Sequence, residues 1–154
     1  MSPTSDAIAL RPATEDDRSE LEGLTIPEDQ LPFVGSVADA FSEAEEEPDG
    51  RGIPFGLYEG DTLVGFVMLS DEVGNPSYVA HYLWKLLIDL RFQRQGYGTA
   101  AIDLVAEYFR SRGVETLWTS ATEGDGGPLP FYERCGFVRQ GKASWGEVML
   151  RLDL

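Results

Sequence analysis

Apolar and polar residues alternate along this chain with two different periods. Ile8-Ala9-Leu10-Arg11 reads as a short strand, ended by Pro12-Ala13-Thr14. Thr14 or Asp16 caps a predicted helix running to Leu24, with Leu21 and Leu24 on one face. Pro27 breaks that pattern. Val34, Val37, Ala38 and Phe41 then form one apolar stripe, predicting a helix from Leu31 to Glu47. Its end is acidic (Asp39, Glu43, Glu45, Glu46, Glu47, Asp49), and Pro48-Asp49-Gly50 follows as a loop. Ile53–Tyr58 and Leu63–Ser70 read as a hairpin around Glu59-Gly60-Asp61. Asp71 to Ser77 is a polar loop. Tyr78 to Leu90 reads as a long strand, and its run Leu86-Leu87-Ile88 is typical of a buried central strand.

The remaining segments alternate in the same way. Ala101, Leu104, Val105, Tyr108 and Phe109 predict an amphipathic helix from Thr99 to Arg112, with Gly113 as its C-terminal cap. Val114–Ser120 is a further strand. Gly124-Asp125-Gly126-Gly127 leads into a short helix holding Phe131-Tyr132-Glu133-Arg134, which Gly136 ends. Phe137-Val138 starts a strand, and Val148–Leu152 is the last one. The order of elements predicts an α/β (α+β) domain around a mixed, mainly antiparallel sheet.

A chain of 154 residues, 42% of them apolar, suits one compact domain. No apolar run approaches the roughly 18–20 residues of a membrane helix. Met1-Ser2-Pro3-Thr4-Ser5-Asp6 lacks the basic and apolar regions of a secretory signal. The expectation is a cytoplasmic protein with no membrane partner. The single cysteine, Cys135, leaves no internal disulfide and no thiolate metal cluster, so no metal site is expected. A net charge of −15 argues against nucleic acid as a partner, because phosphate binding needs a basic footprint. An acidic surface that steers cationic substrates and a solvated surface serving solubility or salt adaptation both remain open.

The strongest chemical signal is Gln93-Arg94-Gln95-Gly96-Tyr97-Gly98-Thr99, placed between strand and helix. Gly96 and Gly98 let backbone approach a ligand closely, and the helix start offers N–H groups and a positive dipole end. Arg94 adds a cation able to reach phosphate. The loop is not the P-loop of nucleotide triphosphatases, since Gly98-Thr99-Ala100 has no lysine. It is not a dinucleotide fingerprint either, because position 101 is Ala. Taken alone, a glycine loop also fits a tight strand-to-helix turn.

Phe131-Tyr132-Glu133-Arg134-Cys135-Gly136-Phe137 follows one strand later. With both segments in this order, the chain resembles the GCN5-related N-acetyltransferases, the GNAT superfamily. Gln93, Gly96 and Gly98 match the superfamily's Gln/Arg-x-x-Gly-x-Gly/Ala loop, and Phe131 to Phe137 match its later Tyr-containing run. The resemblance is closest to bacterial spermine/spermidine acetyltransferase-like members, through Glu28 to Val34, Pro54 to Tyr58, Val64 to Met68, Ile88-Asp89 and the loop itself.

The resemblance implies one N-acetyltransferase domain over residues 1–154. It implies a sheet of six to seven strands with about four helices, and acetyl-CoA as co-substrate. The main chain of Leu86, Leu87 and Ile88 would hold the pantetheine arm. Arg94, Gln95, Gly96, Tyr97, Gly98 and Thr99 would hold the pyrophosphate. Tyr132 would be the general acid that protonates the departing CoA sulfur. Many members carry an Asn before that Tyr; here Asp125 stands in the corresponding loop, with Pro128 and Pro130 altering its hydrogen bonding.

The base is not fixed by the resemblance. The position of the usual central-strand carboxylate is Trp84, which leaves Glu22, Asp29, Glu72, His81 or an ordered water. Cys135 reads as packing rather than as a nucleophile. The acceptor implied is a primary amine, a polyamine first. Another small amine, an amino acid, an aminoglycoside or a protein N-terminus is the alternative, and an inactive CoA-binding sensor is the reading from another class. Monomer and homodimer are both open.

Overall fold

The computed structural model describes residues 8–47, 52–71 and 79–154. Its centre is a seven-stranded sheet. Strands β1 (Ile8–Pro12), β2 (Ile53–Glu59), β3 (Thr62–Ser70) and β4 (Tyr82–Ile88) form an antiparallel meander. β5 (Thr116–Ala121) lies beside β4 and runs parallel to it. β7 (Val148–Asp153) then inserts between β5 and the edge strand β6 (Val138–Lys142), antiparallel to both. The predicted mixed, mainly antiparallel sheet is therefore present.

The α-helices are α1 (Arg18–Glu22), α2 (Leu31–Val34), α3 (Val37–Glu46), α4 (Tyr97–Arg110) and α5 (Leu129–Arg134). Two cores form, one on each face of the sheet. The larger gathers Ile102, Val105 and Phe109 of α4 with Leu57, Val67 and Leu83 of the strands. The other gathers Leu21, Leu24, Val37 and Ala40 with Phe66 and Met68. β3 serves both, so every residue from Leu63 to Ser70 is buried. That explains its continuous apolar run, as in any strand covered on two sides. Each large side chain so buried contributes roughly 1.5–3 kcal/mol.

Several element limits differ from the sequence reading for local reasons. The first predicted helix becomes a 3-10 turn over Glu15–Asp17 followed by α1, which stops at Gly23, before Leu24. The predicted helix from Leu31 to Glu47 is two helices. Gly35, at φ 71°, turns the chain, and Ser36 restarts it with a capping box, exchanging hydrogen bonds with Asp39 at 2.9 and 3.1 Å. β4 ends at Ile88 because the Asp89 carboxylate caps a 3-10 turn over Leu90–Phe92. The long helix begins at Tyr97, two residues before Thr99. The loop expected at Pro48-Asp49-Gly50, Glu72 to Ser77 of the polar loop, and Tyr78 lie outside the described residues.

Candidate functional site

The site begins where β4 and β5 part. They pair only at Tyr82 with Trp118 and Leu83 with Thr119. The Trp118 amide donates to the His81 carbonyl at 2.9 Å, and the Thr119 hydroxyl donates to the Leu83 carbonyl at 2.8 Å. Beyond that point the strands diverge, and a register shift against β3 makes Trp84 the extra residue. The Asp89 amide bonds the Val64 carbonyl at 2.9 Å, which fixes the alternation along the strand. Leu87 and Lys85 therefore turn their main chain to β3, whereas Leu86 and Ile88 turn theirs into the gap. The Ile88 carbonyl accepts from Gln93 Nε2 at 2.6 Å, and Gln93 Oε1 accepts from Gln30 Nε2 at 3.1 Å. The N-terminal segment is thereby latched onto the glycine loop.

A cavity of about 380 Å³ lies along this gap, walled by Ile88, Arg94, Gly96, Gly98, Thr99 and Arg134, among others. Gly96 starts α4 in a left-handed conformation, φ 88°, which a side chain would strain. The first internal bond of α4 runs from the Ala100 amide to the Gly96 carbonyl at 3.0 Å. The amides of Tyr97, Gly98 and Thr99 thus precede the ladder at the helix mouth, as an anion site requires. Gly98 has a second role: a Cβ there would lie 3.1 Å from the Phe131 ring, so its smallness lets α4 and α5 meet. These donors, with the cations Arg94 and Arg134, suit a pyrophosphate, and the gap-facing main chain of Leu86 and Ile88 suits an amide-bearing arm.

Of the other expected cofactor residues, Tyr97 also lines this cavity, whereas Gln95, Leu87 and Asp125 do not. The Tyr97 ring is buried against Phe92, with centroids 5.8 Å apart, and its hydroxyl bonds Glu59. Gln95 turns back to the Arg91 carbonyl at 3.2 Å. The Leu87 side chain sits in the core. Asp125 is exposed and outside the cavity wall, to which its neighbours Gly126, Gly127 and Pro128 contribute. Arg134 was missed as a ligand-facing residue, although its place three residues after Phe131 puts both on one side of α5.

A second cavity, about 660 Å³, opens on the other side of Tyr132 and Leu86. Its wall carries four glutamates, Glu43, Glu46, Glu47 and Glu147, against one lysine, Lys85. Lys85 Nζ pairs with Glu43 at 3.0 Å and donates to the Val34 carbonyl at 3.2 Å, which fastens the acidic helix α3 and α2 to β4. Trp84, the residue at the usual carboxylate position, lines this cavity, as does Trp145.

Tyr132 stands in both cavity walls and is 7% exposed. Burial raises its phenol well above the ordinary value, and the hydroxyl of Thr119 only partly offsets this. Tyr132 therefore carries its proton throughout the neutral range, as a donor must. Burial likewise raises the Cys135 thiol, against the opposing effect of Thr99, which disfavours a thiolate there.

The base candidates do not gather at this point. His81, at φ 58°, pairs with Asp71 at 2.7 Å, packs edge-on against Phe109, and lines neither cavity. Glu22 is bound by Arg18 at 3.0 Å, and Asp29 is exposed away from both walls. Glu72 is outside the described residues. Among those residues no helix is long and apolar enough to cross a membrane.

Comparison with known proteins agrees with this geometry. A spermine/spermidine N(1)-acetyltransferase of Bacillus subtilis is 27% identical over 158 residues, covering 96% of this chain and 99% of that protein. The fold is shared with spermidine N-acetyltransferase from Vibrio cholerae, crystallised with CoA and spermine, at a TM-score of 0.69 and 16% identity over 96% of each chain. It is shared equally with the ribosomal-protein-S18-alanine N-acetyltransferase of Escherichia coli, at a TM-score of 0.64 and 19% identity over 95% and 93% of the two chains. The acetyltransferase (GNAT) family model matches residues 18–137, a span that holds the split strands, the glycine loop and Tyr132. The chain belongs to the GNAT family and is an N-acetyltransferase with acetyl-CoA as its co-substrate.

Proposed function

We propose that the protein acetylates a primary amine of a polyamine such as spermidine or spermine, with Tyr132 as general acid. The observation that carries the acceptor assignment is the acidic second cavity. Four glutamates and the aromatic faces of Trp84 and Trp145 surround a space of about 660 Å³ that ends at Tyr132. Such a wall favours an extended polycation over a neutral or anionic acceptor. Aromatic faces add cation–π attraction of roughly 0.5–1 kcal/mol or more for each ammonium. The similarity to the Bacillus subtilis enzyme along nearly the whole chain points the same way.

Acetyl-CoA supplies the acetyl group and a thiolate leaving group. The chain's own residues do the rest. The α4 amides and the two arginines hold the anionic end in the first cavity. The main chain of Leu86 and Ile88 aligns the arm between the split strands. Tyr132 donates its proton to the departing sulfur, while the amine nitrogen, once neutral, takes the acetyl carbon. The close approach of Phe131, its neighbour on α5, to Gly98 of α4 supports this role for the phenol.

Thiol release with acetyl-CoA and a panel of amines tests both parts. Spermidine and spermine should exceed monoamines in kcat/KM by at least about tenfold, equal to about 1.4 kcal/mol. A monoamine or an amino acid turned over equally well would sink the polyamine assignment. Tyr132→Phe should lower kcat by about 100-fold or more at unchanged CoA affinity. An unchanged kcat would remove Tyr132 from the acid role.

A further inference from the structure

The wall of the acceptor cavity facing away from α3 carries a hydrogen-bonded chain. Ser120 stands on β5 one residue beyond the last pairing with β4. Its hydroxyl donates to Glu147 Oε1 at 2.9 Å and meets the Tyr82 hydroxyl within hydrogen-bond contact. A serine has one hydroxyl proton, and here it goes to Glu147; Tyr82 is therefore the donor in the second contact. The chain runs Tyr82 to Ser120 to Glu147 and ends on a carboxylate. All three residues line the acceptor cavity together with Tyr132.

We propose that Glu147 is the general base that takes the proton from the acceptor ammonium, with Ser120 and Tyr82 as positioning residues that aim its carboxylate. The proposal rests on the acetyltransferase activity and not on which amine is acetylated. In the step, one N–H bond of the ammonium breaks and its electron pair stays on nitrogen. The proton passes to the Glu147 carboxylate and then to water in the open cavity. The freed pair attacks the acetyl carbon, the C–S bond breaks as Tyr132 protonates the sulfur, and the second proton shed by the new amide nitrogen restores the Tyr132 phenol. No oxidant, metal or further reactant is needed.

Glu147 suits this role better than Glu43 and Glu46 of the same wall. Glu43 is neutralised by Lys85 at 3.0 Å, and Glu46 is exposed at the end of α3. Glu147 is half-buried, oriented by Ser120, and lines the same cavity as the proposed acid. It also takes over from the opposite side the task that Trp84 cannot perform on β4.

The test is Glu147→Gln, which keeps an oxygen to accept from Ser120 but cannot take a proton. Its kcat/KM is compared with that of the parent from pH 6 to 9, using whichever amine the parent acetylates. At pH 7 a loss of about 100-fold is expected with a strongly basic amine. The deficit should shrink about tenfold for each pH unit, because only amine already neutral reacts in the variant. Affinity for CoA, measured separately, should not change. A deficit that is constant with pH, a deficit matched by lost CoA affinity, or no deficit at all overturns the proposal. Ser120→Ala gives an independent reading: a smaller, roughly tenfold loss with the same pH trend is expected, and an unaltered rate counts against the relay. Failure of spermidine as a substrate would sink the polyamine assignment alone and leave this comparison intact.

Discussion

Asp89 is 1% exposed, and its carboxylate joins the Thr25 segment to the turn immediately before the glycine loop. Oδ2 accepts from the Thr25 amide at 2.9 Å, while Oδ1 accepts from the Arg91 amide and from Arg91 Nε, each at 2.9 Å. The Leu90 amide reinforces the joint by bonding the Thr25 carbonyl at 2.7 Å. In Asp89→Asn the single remaining oxygen keeps the two bonds from Arg91 at best. The new amide NH₂ then faces the Thr25 N–H, donor against donor, in a buried place. Charge-assisted bonds contribute about 1.5–3 kcal/mol, and an unsatisfied buried donor costs about 1–3 kcal/mol. The variant should lose about 2–3 kcal/mol, which lowers Tm by roughly 5–10 °C for a chain of this size. Urea unfolding at pH 7 followed by fluorescence reads this as a lower midpoint at unchanged slope.

The pH dependence is a second readout of the same bond set. Burial by itself would raise the Asp89 pKa, but the bonds from Arg91 and from the two amides outweigh it and hold it below the usual value. A depressed carboxylate pKa gives stability that is fully present above the unfolded value, about 3.9, and is lost as pH falls through the folded value. The gap between parent and variant should therefore stay constant from pH 7 to 5 and narrow below about 4. A loss under about 0.5 kcal/mol at pH 7, or a gap that narrows already near neutrality, would refute the reasoning.

Two further outcomes follow from the site. In Gly98→Ala the new methyl lies 3.1 and 3.2 Å from two Phe131 ring carbons, so the ring must withdraw by a few tenths of an ångström. Alanine gains roughly 1 kcal/mol of helix propensity, so Tm should barely change while kcat falls about tenfold as Tyr132 shifts with its neighbour; an unaltered kcat contradicts the coupling. For a polycationic acceptor, KM should rise several-fold between low and high salt, because the charges of an open acidic wall are screened over about 10 Å at 0.1 M. A KM insensitive to salt would show that the glutamates of the wall do not gather the amine.

The elements with strong periodicity were legible in the sequence. The hairpin of β2 and β3 and, within two residues, the helix α4 stand where their apolar spacing put them, and the Tyr helix α5 stands between the glycines that bounded it. The break in the second helix was visible too, as Ser36 followed three residues later by Asp39. The apolar stripe that carries on across Gly35 masked it. Gly96 was read only as letting backbone approach a ligand, and its left-handed start to α4 appears in the structure. Gly98 was read as making room for a ligand, and it also makes room for Phe131, which comes from another helix. Glu147 left no local signal. It follows Tyr132 by fifteen residues in an ordinary turn. Only the insertion of β7 between β5 and β6, with Val148 paired to Ala121, brings it beside Ser120. His81 was one of several base candidates because its side-chain chemistry suits a base; it pairs with Asp71, packs on Phe109 and lines neither cavity.

The two cavities share Phe33, Val34, Leu86, Pro128 and Tyr132 but draw most of their remaining walls from different elements, the glycine loop with α4 on one side and α3 with the turn before β7 on the other. Neither reactant has to travel through the other's chamber. The proposed mechanism therefore expects both to be bound at once, with the acetyl group crossing between them without a stop on the enzyme. A ternary complex rather than a double-displacement scheme is thus the kinetic signature of the gap between β4 and β5.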